Sequence, residues 1–128
     1  MKRKILITGS ILGLMAVILG AFGAHGLKDS LSAEAINSFE TGVRYQMYHS
    51  FLLLIAGSFL PLNSKALKTV FYLIISGILL FSGSIYLLST RPLTGIDISP
   101  MGWITPIGGA LLISAWICIC YNFIKSAK

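Results

Sequence analysis

Residues 5–24, ILITGSILGLMAVILGAFGA, form a run of 20 positions without a charged side chain. The hydrocarbon core of a bilayer is about 30 Å thick, and a helix needs roughly 20 mostly apolar residues to cross it. The apolar residues of this run do not alternate with polar ones, as the strands of a membrane barrel would require. The run therefore predicts a transmembrane helix.

Three further uncharged runs cover residues 45–64, 69–90 and 98–124. Only 11% of the 128 residues are charged, whereas soluble domains carry about 25%. This composition excludes a soluble globular domain. We predict an all-α membrane protein with one domain, residues 1–128, in which four transmembrane helices form an antiparallel bundle. The expected spans are approximately 5–24, 45–62, 69–90 and 101–124.

The basic residues predict the orientation in the membrane. With four spans, one side carries seven Lys and Arg residues, and the other carries Lys28, Arg44 and Arg91 together with all four acidic residues. Cytoplasmic loops carry the excess of Lys and Arg, so both termini are expected in the cytoplasm of the cell. This topology accounts for the net charge of +6 without a nucleic-acid partner. The basic start is also typical of a secretory signal, but the apolar run exceeds the roughly 7 to 15 residues of a signal core, and we expect the first helix to be retained.

The first outer loop is predicted to contain a short amphipathic helix. Ser32 is a suitable N-cap, and Ile36, Phe39 and Val43 then form an apolar stripe on one face. We expect this helix to lie at the membrane interface and to lead into the second span, with Gly42 as the place where a bend would occur.

Small residues indicate where helices touch, because close backbone approach supplies the packing energy in lipid. In the first span they recur at spacings of 4, 3, 4 and 3, and two later spans carry further small positions. The residues are Gly9, Gly13, Ala16, Gly20 and Gly23, then Gly83, Gly108 and Gly109. Packing within the bundle is the favoured interpretation, and contact with a second copy or with a partner membrane helix is the alternative.

Pro106 lies inside the fourth expected span. Its ring would remove the backbone hydrogen bond to the carbonyl of Gly102, so we expect a kink there. Irregular backbone at membrane depth must be buried in protein or line a cavity. A packing kink is favoured, and the wall of a binding site is the alternative.

A polar cluster is expected at the outer ends of the first two helices. Its members are His25, Asp29, Glu40, Arg44, Tyr45, Tyr48 and His49. A separation of four residues places Glu40 beside Arg44 and Tyr45 beside His49 on a helix. The favoured interpretation is a hydrogen-bonded lock that fixes the loop.

Three binding functions are alternatives for this cluster, although no cofactor is expected. Zinc could bind to His25, His49 and Glu40, but the spacing of a strong zinc motif is absent. Haem could be ligated by His25 and His49. A lipid headgroup or quinone could be recognised by Arg44, Tyr48 and His49.

Enzymatic chemistry finds little support in the sequence. No G-x-S-x-G motif is present, and no Asp or Glu lies within the expected spans, which argues against a proton-coupled transporter. Cys118 and Cys120 would point about 200° apart on a helix and cannot bridge each other. We therefore expect a non-enzymatic structural, interaction or lipid-binding membrane protein, with a haem- or metal-binding protein as the second class.

Four blocks of sequence resemble the YgdD/YwdK-like family of small, uncharacterised bacterial multi-pass membrane proteins. They are GAFGAHGL at 20–27, FETGVRYQMYH at 39–49, FSGSIY at 81–86 and PIGG at 106–109. The resemblance spans nearly the whole chain, and it implies a four-helix protein of the bacterial plasma membrane without implying a reaction. It places both histidines, Glu40 and Arg44 inside family motifs.

Overall fold

The computed structural model describes residues 1–127 and contains four long helices joined by short connections. The elements are α1 (Lys2–His25), α2 (Ala33–Ser58), α3 (Ser64–Ser89), the short α4 (Arg91–Thr94), a 3-10 turn (Ser99–Met101) and α5 (Ile104–Ser126). No strand occurs among the described residues. The expected all-helical fold is confirmed.

Three segments are long and apolar enough to cross a membrane: Lys2–His25, Ser64–Ser89 and Ser99–Ser126. The 26-residue α2 is also long enough, but it is less apolar because it carries Arg44, Gln46 and His49 in its middle. Length and composition therefore identify three candidate spans within residues 1–127.

Two side-chain caps set where the central helices begin. The Ser32 hydroxyl accepts a hydrogen bond from the N–H of Ala35 at 3.1 Å, as expected for an N-cap. The Asn63 side chain does the same for Ala66 at 2.9 Å, so α3 begins five residues before the expected position 69. The chain leaves α2 after Ser58, earlier than the expected position 62.

The amphipathic helix expected in the first outer loop does not form a separate element. α2 runs from Ala33 through Gly42 to Ser58 without interruption. Gly42 does not interrupt α2. The absence of a side chain there instead makes room for α3, since a Cβ atom would lie 2.8 Å from the ring of Tyr86.

Pro106 lies in the first turn of α5, because this helix begins at Ile104 rather than near 101. The first N–H groups of a helix have no partner within it. The proline ring therefore breaks no hydrogen bond of α5, and the reason for the expected kink is removed.

The long helices contact one another in the order α1, α2, α3, α5. Gly9 and Gly23 of α1 face Leu53 and Phe39 of α2. The Phe39 ring also packs against Tyr86 of α3, at 5.0 Å between ring centres. On the other side of α3, Gly77 faces Leu112 of α5. The second helix thus lies between α1 and α3.

The apolar core has two parts. The larger part unites residues of all four long helices, including Ile5, Leu53, Ile74 and Ala115, each fully buried. A smaller part closes the opposite end, where Leu27 of the first loop is buried near Phe39. Many large apolar side chains point outward, and the most exposed ones on the long helices include Leu14, Val17, Leu79, Ile113 and Ile117. This outer surface suits a lipid environment.

The loop between α4 and α5 is held by one carboxylate. Asp97 accepts hydrogen bonds from the Ser99 hydroxyl at 2.6 Å and the Ser99 N–H at 2.9 Å, and Arg91 lies 3.2 Å away. These hydrogen bonds, and then the Arg91 charge, hold the pKa of the Asp97 carboxyl below its usual value. The ionised carboxylate therefore favours this loop conformation, and the contribution is lost as the pH falls through the lowered pKa.

Candidate functional site

The seven residues of the expected polar cluster do not lie together. His25 and Asp29 are exposed at the end of α1 and in the following loop. Arg44 donates a hydrogen bond to the Thr41 hydroxyl at 3.0 Å, and within residues 1–127 it forms no ion pair with Glu40.

Tyr45, Tyr48 and His49 are the three members of that cluster that the structure brings together. The ring centres of Tyr45 and Tyr48 are 5.8 Å apart, and those of Tyr45 and His49 are 6.4 Å apart. Both tyrosines are exposed on the outer face of α2, whereas His49 is only 4% exposed.

The two histidines lie at different depths along the helices. Gly13 of α1 faces Ser50, the residue after His49, so the twelve residues from Gly13 to His25 separate the histidines by about 18 Å along the helix axis. Two ligands of one metal ion lie within about 4 Å of each other, because each nitrogen binds at about 2 Å. A shared zinc or haem iron does not fit this arrangement. Nor does any group of three His, Cys, Asp or Glu side chains in the described chain suit a metal ion.

Buried polar side chains instead connect α2 to both of its neighbours. Gln46 donates a hydrogen bond to the carbonyl of Leu12 on α1 at 2.9 Å. The Gln46 carbonyl accepts one from the hydroxyl of Tyr86 on α3 at 2.7 Å. Gln46 is only 3% exposed. One side chain therefore joins three helices, using both ends of its amide.

Two serines make the same kind of contact in two different interfaces. The Ser50 hydroxyl of α2 donates to the carbonyl of Gly9 on α1, and the Ser82 hydroxyl of α3 donates to the carbonyl of Gly42 on α2, each at 2.7 Å. A glycine exposes its carbonyl because no side chain covers it, and it also lets the neighbouring helix approach. Hydrogen bonding and close packing coincide at both positions.

His49 connects α2 to α5. A carbonyl can only accept, so the contact between Nδ1 of His49 and the Tyr45 carbonyl at 2.7 Å places a proton on Nδ1. Nε2 then accepts a hydrogen bond from the indole N–H of Trp116 at 3.2 Å. Both ring nitrogens are engaged by partners that suit the neutral imidazole.

An apolar groove of about 290 Å³ opens beside this contact. It is lined by Tyr45, His49, Phe81, Gly109, Leu112 and Trp116. Because His49 uses both nitrogens within the protein, its imidazole offers no free hydrogen-bonding group to a ligand in this groove.

The small residues of α1 face α2. Built Cβ atoms at Gly9, Gly13, Gly20 and Gly23 would meet α2 side chains, and Ala16 is buried. This face is therefore occupied by α2 within one chain. Gly108 of α5 lies against the backbone of α3 at Leu80 and Phe81. Gly109 makes only ordinary contact with the Phe81 ring, and Gly83 meets nothing within 4 Å in the described chain.

The sequence interpretation missed Gln46, Ser50, Ser82, Tyr86 and Trp116 as members of the polar network. The sequence does contain a pattern that predicts part of this network. His49 and Ser50 follow Gln46 by three and four residues, so the three side chains share one helix face. Uncharged polar side chains make most of these contacts, whereas the residues of the expected cluster are all titratable.

These features define a class of protein: an all-helical integral membrane protein with an apolar outer surface and an interior joined by hydrogen bonds between helices. More specifically, the chain belongs to the family described as Protein of unknown function (DUF423), whose sequence profile matches residues 19–109.

Curated relatives support the same assignment over almost the full chain. A "UPF0382 membrane protein" of Haemophilus influenzae is 39% identical, covering 98% of this chain and 98% of its own length. The "UPF0382 membrane protein YwdK" of Bacillus subtilis is 40% identical, covering 96% and 98%. A relative from Staphylococcus saprophyticus is 42% identical, also covering 96% and 98%. The resemblance expected from the four sequence blocks is thus confirmed. No solved structure matches the chain.

Proposed function

We propose that this protein spans the bacterial plasma membrane four times, with both termini in the cytoplasm, and acts without catalysis, through contacts with lipids or partner membrane helices. The proposal depends on how the buried polar side chains are bonded. Every buried side-chain nitrogen or oxygen in the described chain has a hydrogen-bond partner within the protein. Most of those groups join helices, and both ring nitrogens of the buried His49 are engaged within the protein, which leaves no free interior acid or base to act on a substrate.

The second helix suits a fourth span despite its polar residues. Gln46, His49 and Ser50 are 3%, 4% and 1% exposed, so they are covered by neighbouring helices. Tyr48, Phe51 and Ile55 point outward from the same helix. Polar residues within membrane spans face the interior, and lipid requires only that the outer face be apolar.

Cysteine labelling tests the topology. In a full-length Cys118→Ala, Cys120→Ala background, single cysteines replace Ser30, Thr94, Ser64 or Ser126. A membrane-impermeant maleimide added to intact cells is expected to label positions 30 and 94, whereas positions 64 and 126 should react only after lysis. Labelling of 30 and 64 from the same side would show that α2 does not cross the membrane, and the proposal would be wrong.

Replacement of His49 tests the non-catalytic interpretation. His49→Ala should lower the free energy of unfolding of the full chain in detergent by about 1 kcal/mol, the typical net contribution of one hydrogen bond, because the bond to the Trp116 N–H is lost. Denaturant titration followed by tryptophan fluorescence measures the change. In a strain lacking the protein, the variant should restore any deletion phenotype.

Complementation of the same strain can also contradict the non-catalytic interpretation. A His49→Ala protein that unfolds normally yet restores nothing would show that the imidazole acts on a ligand or substrate. Trp116→Phe is the matched variant, since it removes the other partner of this hydrogen bond and retains an aromatic ring.

A further inference from the structure

A cleft of about 290 Å³ lies between the beginning of α3 and the end of α5. Its polar lining consists of Asn63, Lys65, Thr69, Tyr121, Asn122 and Lys125. One lysine comes from each helix, so the cleft has a positive charge on both walls. The cleft is separate from the His49 groove, which is lined by earlier residues of α5, including Trp116.

No acidic side chain neutralises this end of the described chain. Asp29, Glu34 and Glu40 belong to the first loop and the beginning of α2, and Asp97 belongs to the second loop, all at the opposite end. Lys4 lies over the rings of Phe71 and Tyr72, at 5.4 and 5.6 Å from their centres, and is thereby directed toward α3. Lys65 and Lys125 form no ion pair within residues 1–127.

The surface next to the cleft is apolar. Ile117 and Ile124 are four residues before and three residues after Tyr121, so all three share one face of α5. Their exposed fractions are 62%, 60% and 61%. A ligand that fills both regions needs an anionic group at the lysines and hydrocarbon along the helix.

We propose that this cleft binds the phosphate of an anionic phospholipid headgroup, with an acyl chain lying along α5. Basic pockets between transmembrane helices suit such headgroups, and each Lys near the surface contributes an attraction of this kind. Tyr121 adds a hydroxyl to the lining, whereas the Asn122 amide already donates to the Cys118 carbonyl at 2.7 Å within α5. This inference uses only α3 and α5 as spans, so it does not require the fourth span or the orientation proposed above.

Native mass spectrometry of the full-length protein tests the site. The protein is released from phosphatidylcholine nanodiscs that contain phosphatidylglycerol, and the retained lipids are counted. Wild-type protein is expected to retain phosphatidylglycerol in preference to phosphatidylcholine. Lys65→Gln with Lys125→Gln should reduce that retention about tenfold, because the two ammonium groups that line the cleft are lost.

Lys2→Gln with Arg3→Gln is the matched control, because it removes the same charge from the same end of the molecule without altering the cleft. This variant should retain phosphatidylglycerol within about twofold of wild type. Equal losses in the two double variants, or none in either, would overturn the proposal and leave only general attraction between charges. A circular dichroism spectrum like that of wild type confirms that each variant is folded.

Inorganic phosphate is the second probe, added to the protein in nanodiscs of phosphatidylcholine alone. If the cleft binds lipid, the phosphorus resonance of inorganic phosphate should show no saturable change, because the acyl chain supplies part of the contact. Saturable binding that is lost in Lys65→Gln with Lys125→Gln would assign the cleft to free phosphate and overturn the lipid proposal. The topology experiment is independent of both results, so failure of this site and failure of the proposed function are distinguishable.

Discussion

Gly108→Ala is expected to destabilise the protein by about 1–3 kcal/mol, the usual range for overpacking a well-packed interior. A Cβ atom at this position would lie 2.7 Å from the carbonyl carbon of Leu80 and 2.8 Å from Cα of Phe81. Both atoms belong to the backbone of α3, and neither can rotate away as a side chain would. The two helices must therefore separate, and contacts along their shared face weaken.

Two glycines provide matched controls. A Cβ at Gly109 would lie 3.6 Å from the Phe81 ring, and one at Gly83 would meet nothing within 4 Å. Alanine favours a helix over glycine by about 1 kcal/mol, so Gly83→Ala and Gly109→Ala should be neutral or stabilising. Denaturant titration in detergent, followed by the fluorescence of the two tryptophans, measures all three variants. A Gly108→Ala protein as stable as Gly83→Ala would contradict the close contact between α3 and α5.

Gln46→Leu is expected to lower the free energy of unfolding by about 1–3 kcal/mol, the cost of leaving a buried polar partner unsatisfied. The substitution removes the bond to the Leu12 carbonyl and leaves the Tyr86 hydroxyl without its acceptor. Leucine has a similar volume, so the loss reports mainly on hydrogen bonding. The measurement is the same titration of the full chain.

A double-mutant cycle separates the Gln46–Tyr86 contact from packing. Tyr86→Phe removes only the hydroxyl, and combined with Gln46→Leu it leaves no unpaired group at the contact. The double variant should therefore be more stable than the sum of the single losses by about 0.5–2 kcal/mol. Ser114→Ala is the control, since that exposed hydroxyl bonds only to its own helix at Ala110. Strictly additive losses would show that the two side chains do not interact.

The sequence was sufficient for the apolar helices. The uncharged run at 5–24 became α1, and those at 69–90 and 98–124 correspond to α3 and to the segment ending in α5. Ser32 was correctly predicted as an N-cap because the capping bond is local. The predicted starts of two other helices were less accurate. Asn63 caps α3, which begins before residue 69, and α5 begins only at Ile104.

The polar contacts depend on which helix faces which, and local patterns do not contain that information. Gln46 and Tyr86 are separated by 40 positions, and His49 and Trp116 by 67. Their meeting requires both the order α1, α2, α3, α5 and the depth at which each pair packs. The same information is missing for the expected cluster, since His25 and His49 belong to adjacent helices but lie at different depths.

The hydrogen bonds of the Gln46 amide also have a consequence for the biosynthesis of the protein. The glutamine is synthesised forty positions before Tyr86, so a nascent chain that has delivered only its first hairpin to the bilayer still lacks one of the two partners. In the four-span topology proposed above, that hairpin presents an unmet polar group to hydrocarbon until α3 arrives, and each such group is costly there. In that topology, completion of α3 supplies the Tyr86 hydroxyl and removes a penalty that the first hairpin would carry alone.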